Sequence, residues 1–324
     1  MKSIFNLSKG YKRALTALRA GGLVAIPTET VYGLAADASN AEAVAKIYEA
    51  KGRPNFNPLI CHVSGMEMAQ RVGMFDPVSR RVAEKFWPGP LTLIVPLKEN
   101  TLIANAVTAG LGTIALRQPE GVMATLAGDL GKPIAAPSAN TSGKISPTLA
   151  AHVADDLGHS VDIILDNGAC TVGVESTILK VNDGVITLLR EGGIAVEVIE
   201  AEFGKIKYNT SEVSKNSKSI IESPGQLLAH YAPSIPVRLN VKSVDKDEAL
   251  LLFGILSASG HPHTMQNLSI KGELDEAARN LFAMLKELDK SGARAIAVQP
   301  IPRHGLGAAI NDRLERAAEG AKLI

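Results

Sequence analysis

The chain has 324 residues, 46% hydrophobic and 21% charged, so it can bury two cores rather than one. Aromatics are only 4% and the formal net charge is +1, which argues against a stacking platform for single strands or a broad basic field for nucleic acid or anionic membrane. Cys61 and Cys170 make no CxxC pair, no apolar run reaches the roughly 18 residues of a membrane span, and the opening MKSIFNLSKGYKRA has no long apolar stretch, so a reducing, cytoplasmic setting is expected.

Ser8 is read as the cap of a helix running to about Arg19, ended by Gly21 and Gly22. Leu23 to Ile26 reads as a buried strand stopped by Pro27. Ser39 and Glu42 have capping-box spacing ahead of a helix that Gly52 and Pro54 close. Leu59 to Val63 is a strand, and Asp76 with Pro77 opens a helix to Phe86. Strands follow at Leu91 to Val95 and Thr113 to Arg117. A helix over Val122 to Leu130 precedes a strand at Pro133 to Ala136, and Ser146 is read as capping the next helix, with Pro147 in its first turn. Asp162 to Leu165 is a strand. Asn182-Asp183-Gly184 between two apolar runs, Ser176 to Val181 and Val185 to Arg190, signals a hairpin. Alternating strands and helices predict a twisted, mixed α/β sheet.

The composition shifts near residue 205, and Lys207 to Ser223 reads as a linker. Beyond it, a strand at Ala249 to Ile255, a helical stripe from Leu274 to Leu288, a strand at Ala295 to Val298 and a helix over Ala308 to Ala318 predict a small Rossmann-like unit. The expected division is 1–206, a linker or lid at 207–237, and 238–324.

Three segments could carry chemistry. Pro27 to Leu34 (PTETVYGL) leaves a buried strand end; its hydroxyls and carboxylate suit the polar groups of an amino acid, or simply cap a turn. Lys51-Gly52-Arg53-Pro54, with Asn57 close behind, offers two cations suited to phosphate oxygens, or an answer to the helix dipole. Pro137 to Gly143 (PSANTSG) leaves amides and hydroxyls open to an anion, or is an ordinary strand-to-helix loop; no GxxxxGK[ST] occurs anywhere. His62 and Cys61 alternate on a strand and so face opposite sides. Arg117 ends an apolar strand, either as a carboxylate clamp or as a solvated end. Gly305-Leu306-Gly307 is a weak dinucleotide signal, and His261-Pro262-His263 reads as a turn.

In order and rough spacing, PTETVYGL, KGRP, an apolar strand ending in His62, WPGPLT, ALR, PSANTSG and ESTI resemble the YrdC family. His230-Tyr231-Ala232-Pro233 and the small second unit look like its long form, the two-domain threonylcarbamoyl-AMP synthases. The resemblance is strong from about residue 10 to 195 and mostly architectural after 240. It implies a YrdC-like first domain, and a reaction of L-threonine, bicarbonate and ATP that gives threonylcarbamoyl-adenylate and pyrophosphate. A partner enzyme would then modify tRNA beside the anticodon.

The resemblance also implies a site. Thr28, His62, Arg117, Ser176 and the backbone at Ala136 would surround threonine. Lys51, Arg53, Asn57, Thr113, Ser138, Asn140, Ser146 and Arg190 would surround ATP, with Tyr231 as a lid residue and Lys51 and Arg53 supporting transfer at phosphorus. Mg²⁺ would accompany ATP, with no protein metal ligands expected. Many relatives carry a hydroxyl residue where this chain has Pro137. Tight contact with membrane is not implied, and direct tRNA binding is not required. A carbamoyltransferase-type domain, or an RNA-binding module without catalysis, are the alternatives; the former lacks its usual cysteine-rich companion here, and the latter sits poorly with near-neutral charge.

Overall fold

The computed structural model describes residues 4–209, 230–255 and 257–322, so most of the stretch read as a linker lies outside the described residues. Within residues 4–209 the strands form one mixed, eleven-stranded sheet. Its order is Ile4–Asn6, Ile163–Asp166, Val24–Ile26, Gly33–Asp37, Ile134–Ala135, Ile60–His62, Thr113–Arg117, Leu91–Pro96, Thr177–Asn182, Val185–Arg190 and Lys207–Tyr208. Ile60–His62 and Thr113–Arg117 run parallel, with His62 directly opposite Arg117. Two candidate side chains are thereby brought together at the ends of two central strands.

The apolar runs explain the layers. Val24–Ile26 and Gly33–Asp37 are buried at every position, as central strands covered on both faces should be. The helices Leu7–Arg19, Ala41–Lys51 and Val122–Leu130 present Ala14, Leu18, Val44, Ile47 and Leu126 to that sheet. The expected hairpin is present: Thr177–Asn182 pairs antiparallel with Val185–Arg190. Asp183 and Gly184 take φ of 50° and 75°, the left-handed pair a tight primed turn demands.

A second sheet is wholly parallel, in the order Val237–Arg238, Ala295–Val298, Glu248–Leu252, Thr264–Asn267. Helices Leu274–Asp289 and Leu306–Ala321 pack on it through Leu281, Phe282, Leu285, Ile310 and Leu314. This core also takes in Val31, Ile145, Val174 and Tyr231, so the two units share a hydrophobic seam.

Several sequence expectations need correction. The first helix is capped by Asn6, whose side chain accepts from the Lys9 amide, while Ser8 merely donates to Asn6. The helix from Ala41 is capped by Asn40, because Ser39 is already engaged with Asp37. Ser146 caps nothing: the helix begins at Ala150, and the Ser146 hydroxyl donates to the Glu175 carboxylate at 2.6 Å. A buried carboxylate draws a donor more strongly than a helix end that water can reach. The strand Gly33–Asp37 was not anticipated; it is buried at every position, so its apolar run needs no alternation. The helices Met66–Val72, Asn105–Thr108 and Val196–Phe203 were not anticipated, and Lys207–Tyr208 is a strand rather than linker.

One glycine fixes how closely the units approach. Gly173 has φ of +82°, and a Cβ there would lie 2.4 Å from the Arg279 Cα in the helix Leu274–Asp289. Gly131 has a similar φ of +76° but open space around it. Gly131→Ala is expected to cost about 1–2 kcal/mol of backbone strain. Gly173→Ala should cost a further 1–3 kcal/mol, roughly, from overpacking at the seam. Urea unfolding of both variants checks this; equal losses would contradict the tight approach.

Candidate active site

One cleft opens at the strand ends, where ligands favour α/β sheets. Thr28, Arg53, His62, Arg117, Ala136, Ser138, Ser176, Arg190 and Tyr231 all line it, so nine of the residues singled out from the sequence meet there. Segments more than two hundred residues apart in the chain share its wall.

Thr28 follows the strand Val24–Ile26 and Pro27. Its hydroxyl donates to the Val31 carbonyl at 2.7 Å and lies 2.8 Å from the Thr30 hydroxyl. The turn reading and the binding reading are therefore both true of it: the cap fixes the loop that lines the cleft. Arg117 is 4% exposed. It donates from Nε to the Gly89 carbonyl at 3.2 Å and from Nη1 to Thr30 at 2.8 Å. Its Nη2 stands 2.8 Å from Glu29 Oε1, close in distance though not aligned as a hydrogen bond.

His62 faces this corner from the neighbouring strand. Burial, with the Arg117 charge beside it, pushes its pKa down to about 3. It is therefore a neutral imidazole at physiological pH, and its Nδ1 is buried without a hydrogen-bond partner. His62 lines the cleft, and a ligand there could satisfy such an atom.

The other wall is cationic. Arg53 donates to the carbonyls of Asn57 at 3.3 Å and Pro58 at 3.0 Å, and burial lowers its pKa to about 10. Arg190 donates to the Ser176 carbonyl at 2.8 Å and hydroxyl at 3.2 Å. Lys51 stands behind the wall rather than in it. Its ammonium donates to the Ser138 carbonyl at 2.6 Å and to the Asn140 carbonyl, which pins the PSANTSG loop in place. Burial, with Arg53 nearby, lowers its pKa from the usual lysine value.

Asn140 donates to the carbonyls of Thr141 and Lys144 and so shapes the same loop from within. Asn57 contributes its carbonyl to Arg53 and Tyr48, and its side-chain oxygen is buried without a partner. Ser146 sits behind Glu175. Thr113 begins the strand that Arg117 ends, opposite Pro96 and about 13 Å from Arg117 at ordinary strand rise; like Lys51, Asn57, Asn140 and Ser146, it does not itself line this cleft.

Sequence reasoning assigned no site role to Glu175, His230 or Arg313. Glu175 lines the cleft beside Ser176. Burial opposes its charge, but Arg313 and Arg190 outweigh burial and hold its carboxyl down to about 2. His230 also lines the cleft and, being desolvated, has its pKa lowered to about 3. The ESTI segment was a signal for Glu175. For Arg313, in a helix that reads as amphipathic, there was none.

Tyr231 is 1% exposed with φ of 62°. Its ring stacks on Phe282 at 5.5 Å and lies under the Arg313 guanidinium at 5.2 Å. The amide of the next residue, Ala232, donates to the Gly143 carbonyl at 2.8 Å, so the HYAP segment is fastened to the end of the PSANTSG loop.

Comparison with known proteins gives a consistent picture. The family model described as telomere recombination (Sua5, YciO and YrdC) matches residues 16–192, and that of the threonylcarbamoyl-AMP synthase C-terminal domain matches residues 194–319. The threonylcarbamoyl-AMP synthase of Bacillus subtilis (strain 168) is 40% identical over 323 residues, covering 95% of this chain and 92% of that protein. That of Pyrococcus abyssi (strain GE5 / Orsay) is 39% identical, covering 95% and 93%. The crystal structure of P. abyssi Sua5 complexed with L-threonine superposes with a TM-score of 0.88 at 36% identity, covering 98% of both chains.

His62 sets a pH test. Its folded pKa, near 3, lies below the ordinary 6.5, so between these values the unfolded chain binds the extra proton. Stability is fully present above 6.5 and is lost as pH falls, by about 1.4 kcal/mol per pH unit from this one group. His62→Gln is expected to flatten the fall in unfolding free energy between pH 6.5 and 4.5. An unchanged slope in urea titrations would contradict the neutral, buried imidazole.

Proposed function

The chain belongs to the Sua5–YciO–YrdC family in its two-domain, threonylcarbamoyl-AMP synthase form, and we propose that its cleft joins L-threonine, bicarbonate and ATP. The observation that supports this most is the set of buried cations, Arg53, Arg117 and Arg190, around one small-molecule cleft, with Lys51 holding the loop between them. Main-chain carbonyls take much of their hydrogen bonding, and Glu29 stands beside Arg117; a substrate carboxylate and a triphosphate suit such a cationic wall.

In this reading Arg117 grips the threonine carboxylate in a bidentate fork, and Thr28, Ser176 and the backbone at Ala136 order the rest of the amino acid. Neutral His62 offers an uncharged ring nitrogen to a polar group of the substrate. The threonine amine, once deprotonated, attacks the carbon of bicarbonate; loss of water leaves an N-carboxylate, the carbamate. A carbamate oxygen then attacks the α-phosphorus of ATP. The new oxygen–phosphorus bond forms as the bridge to the β-phosphate breaks, and pyrophosphate leaves with that electron pair. The substrate supplies the nucleophile, so no catalytic serine, cysteine or triad is required.

Arg53 and Arg190, with Ser138 and the loop shaped by Lys51 and Asn140, offset charge on the phosphates. Among the described residues, no three His, Cys, Asp or Glu side chains stand together as a metal cage. Mg²⁺ would enter with ATP and would help neutralise the phosphates. Water must be kept from the carbamate, and buried Tyr231 serves that end. The first unit then carries most of the chemistry, joined in the cleft by His230 and Tyr231, with the C-terminal unit packed behind it. The adenylate would pass to a cytoplasmic transferase that modifies tRNA. No helix of the described residues is long and apolar enough to cross a membrane.

Pyrophosphate release from ATP, measured with and without L-threonine and bicarbonate, tests the reaction. Strict dependence on both is expected; release indifferent to threonine would overturn it. Lys51→Ala and Arg53→Ala should each lower the rate on the order of 10²-fold. Wild-type turnover in both would remove them from the phosphate half. Arg117→Ala should chiefly weaken threonine binding in calorimetric titrations, and a loss confined to ATP would reassign it.

A further inference from the structure

We propose that Arg313 is a positioning residue, which makes the geometry of the cleft conditional on docking of the C-terminal unit. It lies in the helix Leu306–Ala321, does not line the cleft, and is 0% exposed. Its guanidinium uses every edge. Nε donates to Glu175 Oε2 at 2.8 Å, Nη2 donates to the Glu191 carbonyl at 2.9 Å, and Nη1 pairs with the Asp312 carboxylate. Its plane covers the Tyr231 ring.

Those contacts select particular points. Glu175 immediately precedes Ser176, and Glu191 immediately follows Arg190. Arg313 therefore fastens both strand ends of the hairpin Thr177–Arg190 where they reach the cleft. Glu175 passes the constraint on through its second oxygen, which accepts from Ser146. The Glu175 carbonyl also accepts from the Gly193 amide at 2.9 Å, which ties the two ends together. Ser146, Ser176, Arg190 and Tyr231 are thus set by one side chain that arrives from outside residues 1–206.

Without Arg313, buried Glu175 would keep its charge with one side-chain donor. It must then take up a proton or move, and either outcome shifts Ser146 and Ser176. Lysine could meet Glu175 but could not span to the Glu191 carbonyl or cover the ring, because it lacks the planar fork. The arrangement gives the C-terminal unit a role at a cleft whose walls come mostly from the first 206 residues. It rests on the proposed reaction only for its kinetic readout.

The test compares Arg313→Lys, Arg313→Met, Glu175→Gln and the Glu175→Gln/Arg313→Met double variant of the full chain. Each is assayed for threonine-dependent pyrophosphate release well below its own unfolding temperature. Arg313→Lys should lower kcat roughly tenfold and Arg313→Met roughly 10²-fold, the scale of ångström misplacement. The double variant should lose no more than the worse single, since the pair acts as a unit. Wild-type kcat in folded Arg313→Lys, with only its melting temperature lowered, would reduce the contact to a stability element and overturn the proposal. Losses that multiply in the double variant would also overturn it. Thermal unfolding of the same four proteins needs no substrate. If the wild type released no pyrophosphate, the reaction assignment would fail, while additive unfolding energies would independently refute the Arg313–Glu175 link.

Discussion

Burying positive charge is the constraint on which the rest of this structure depends. Lys51, Arg53, Arg117, Arg190 and Arg313 are each no more than 7% exposed. Removing such ions from water costs several kcal/mol apiece unless each finds good partners. The fold supplies them mainly as main-chain carbonyls: Ser138 and Asn140 for Lys51, Asn57 and Pro58 for Arg53, Gly89 for Arg117, Ser176 for Arg190 and Glu191 for Arg313. Carbonyls bend out of regular structure to do this, which is why the motif segments are loops at strand ends. They also leave the positive potential in the cleft largely intact.

That potential is shaped by two buried carboxylates. Glu29 sits against Arg117, where an incoming substrate carboxylate would compete for the same guanidinium. Glu175 also lines the cleft, but its carboxylate is held by Arg313 from behind the wall and by Ser146, and its role is architectural. The same residue type thus serves exchange on one wall and anchorage on the other. Which one it serves depends on whether its cation faces the cleft or stands behind it.

The fold was legible where local rules act alone. The Asn182-Asp183-Gly184 turn, the Asp76–Pro77 helix start and the strand Thr113–Arg117 follow from backbone preference and apolar runs. The order of short motifs pointed to residues that the structure gathers into one cleft, although no motif carried that by itself. What stayed hidden was set by tertiary demand. Ser146 was taken for a cap because its neighbours look like a helix start, yet a carboxylate 29 residues onward claims its hydroxyl. Arg313 partners Glu175 across 138 residues, and no periodicity encodes such a contact.

The assignment stands most directly on the identity of the product. Carbon-labelled bicarbonate and ATP labelled at the α-phosphate, incubated with L-threonine and the full chain, should place both labels in a single short-lived species, with unlabelled pyrophosphate released. Label from ATP recovered only in AMP or ADP, with none joined to labelled carbon, would contradict attack by a carbamate at the α-phosphorus.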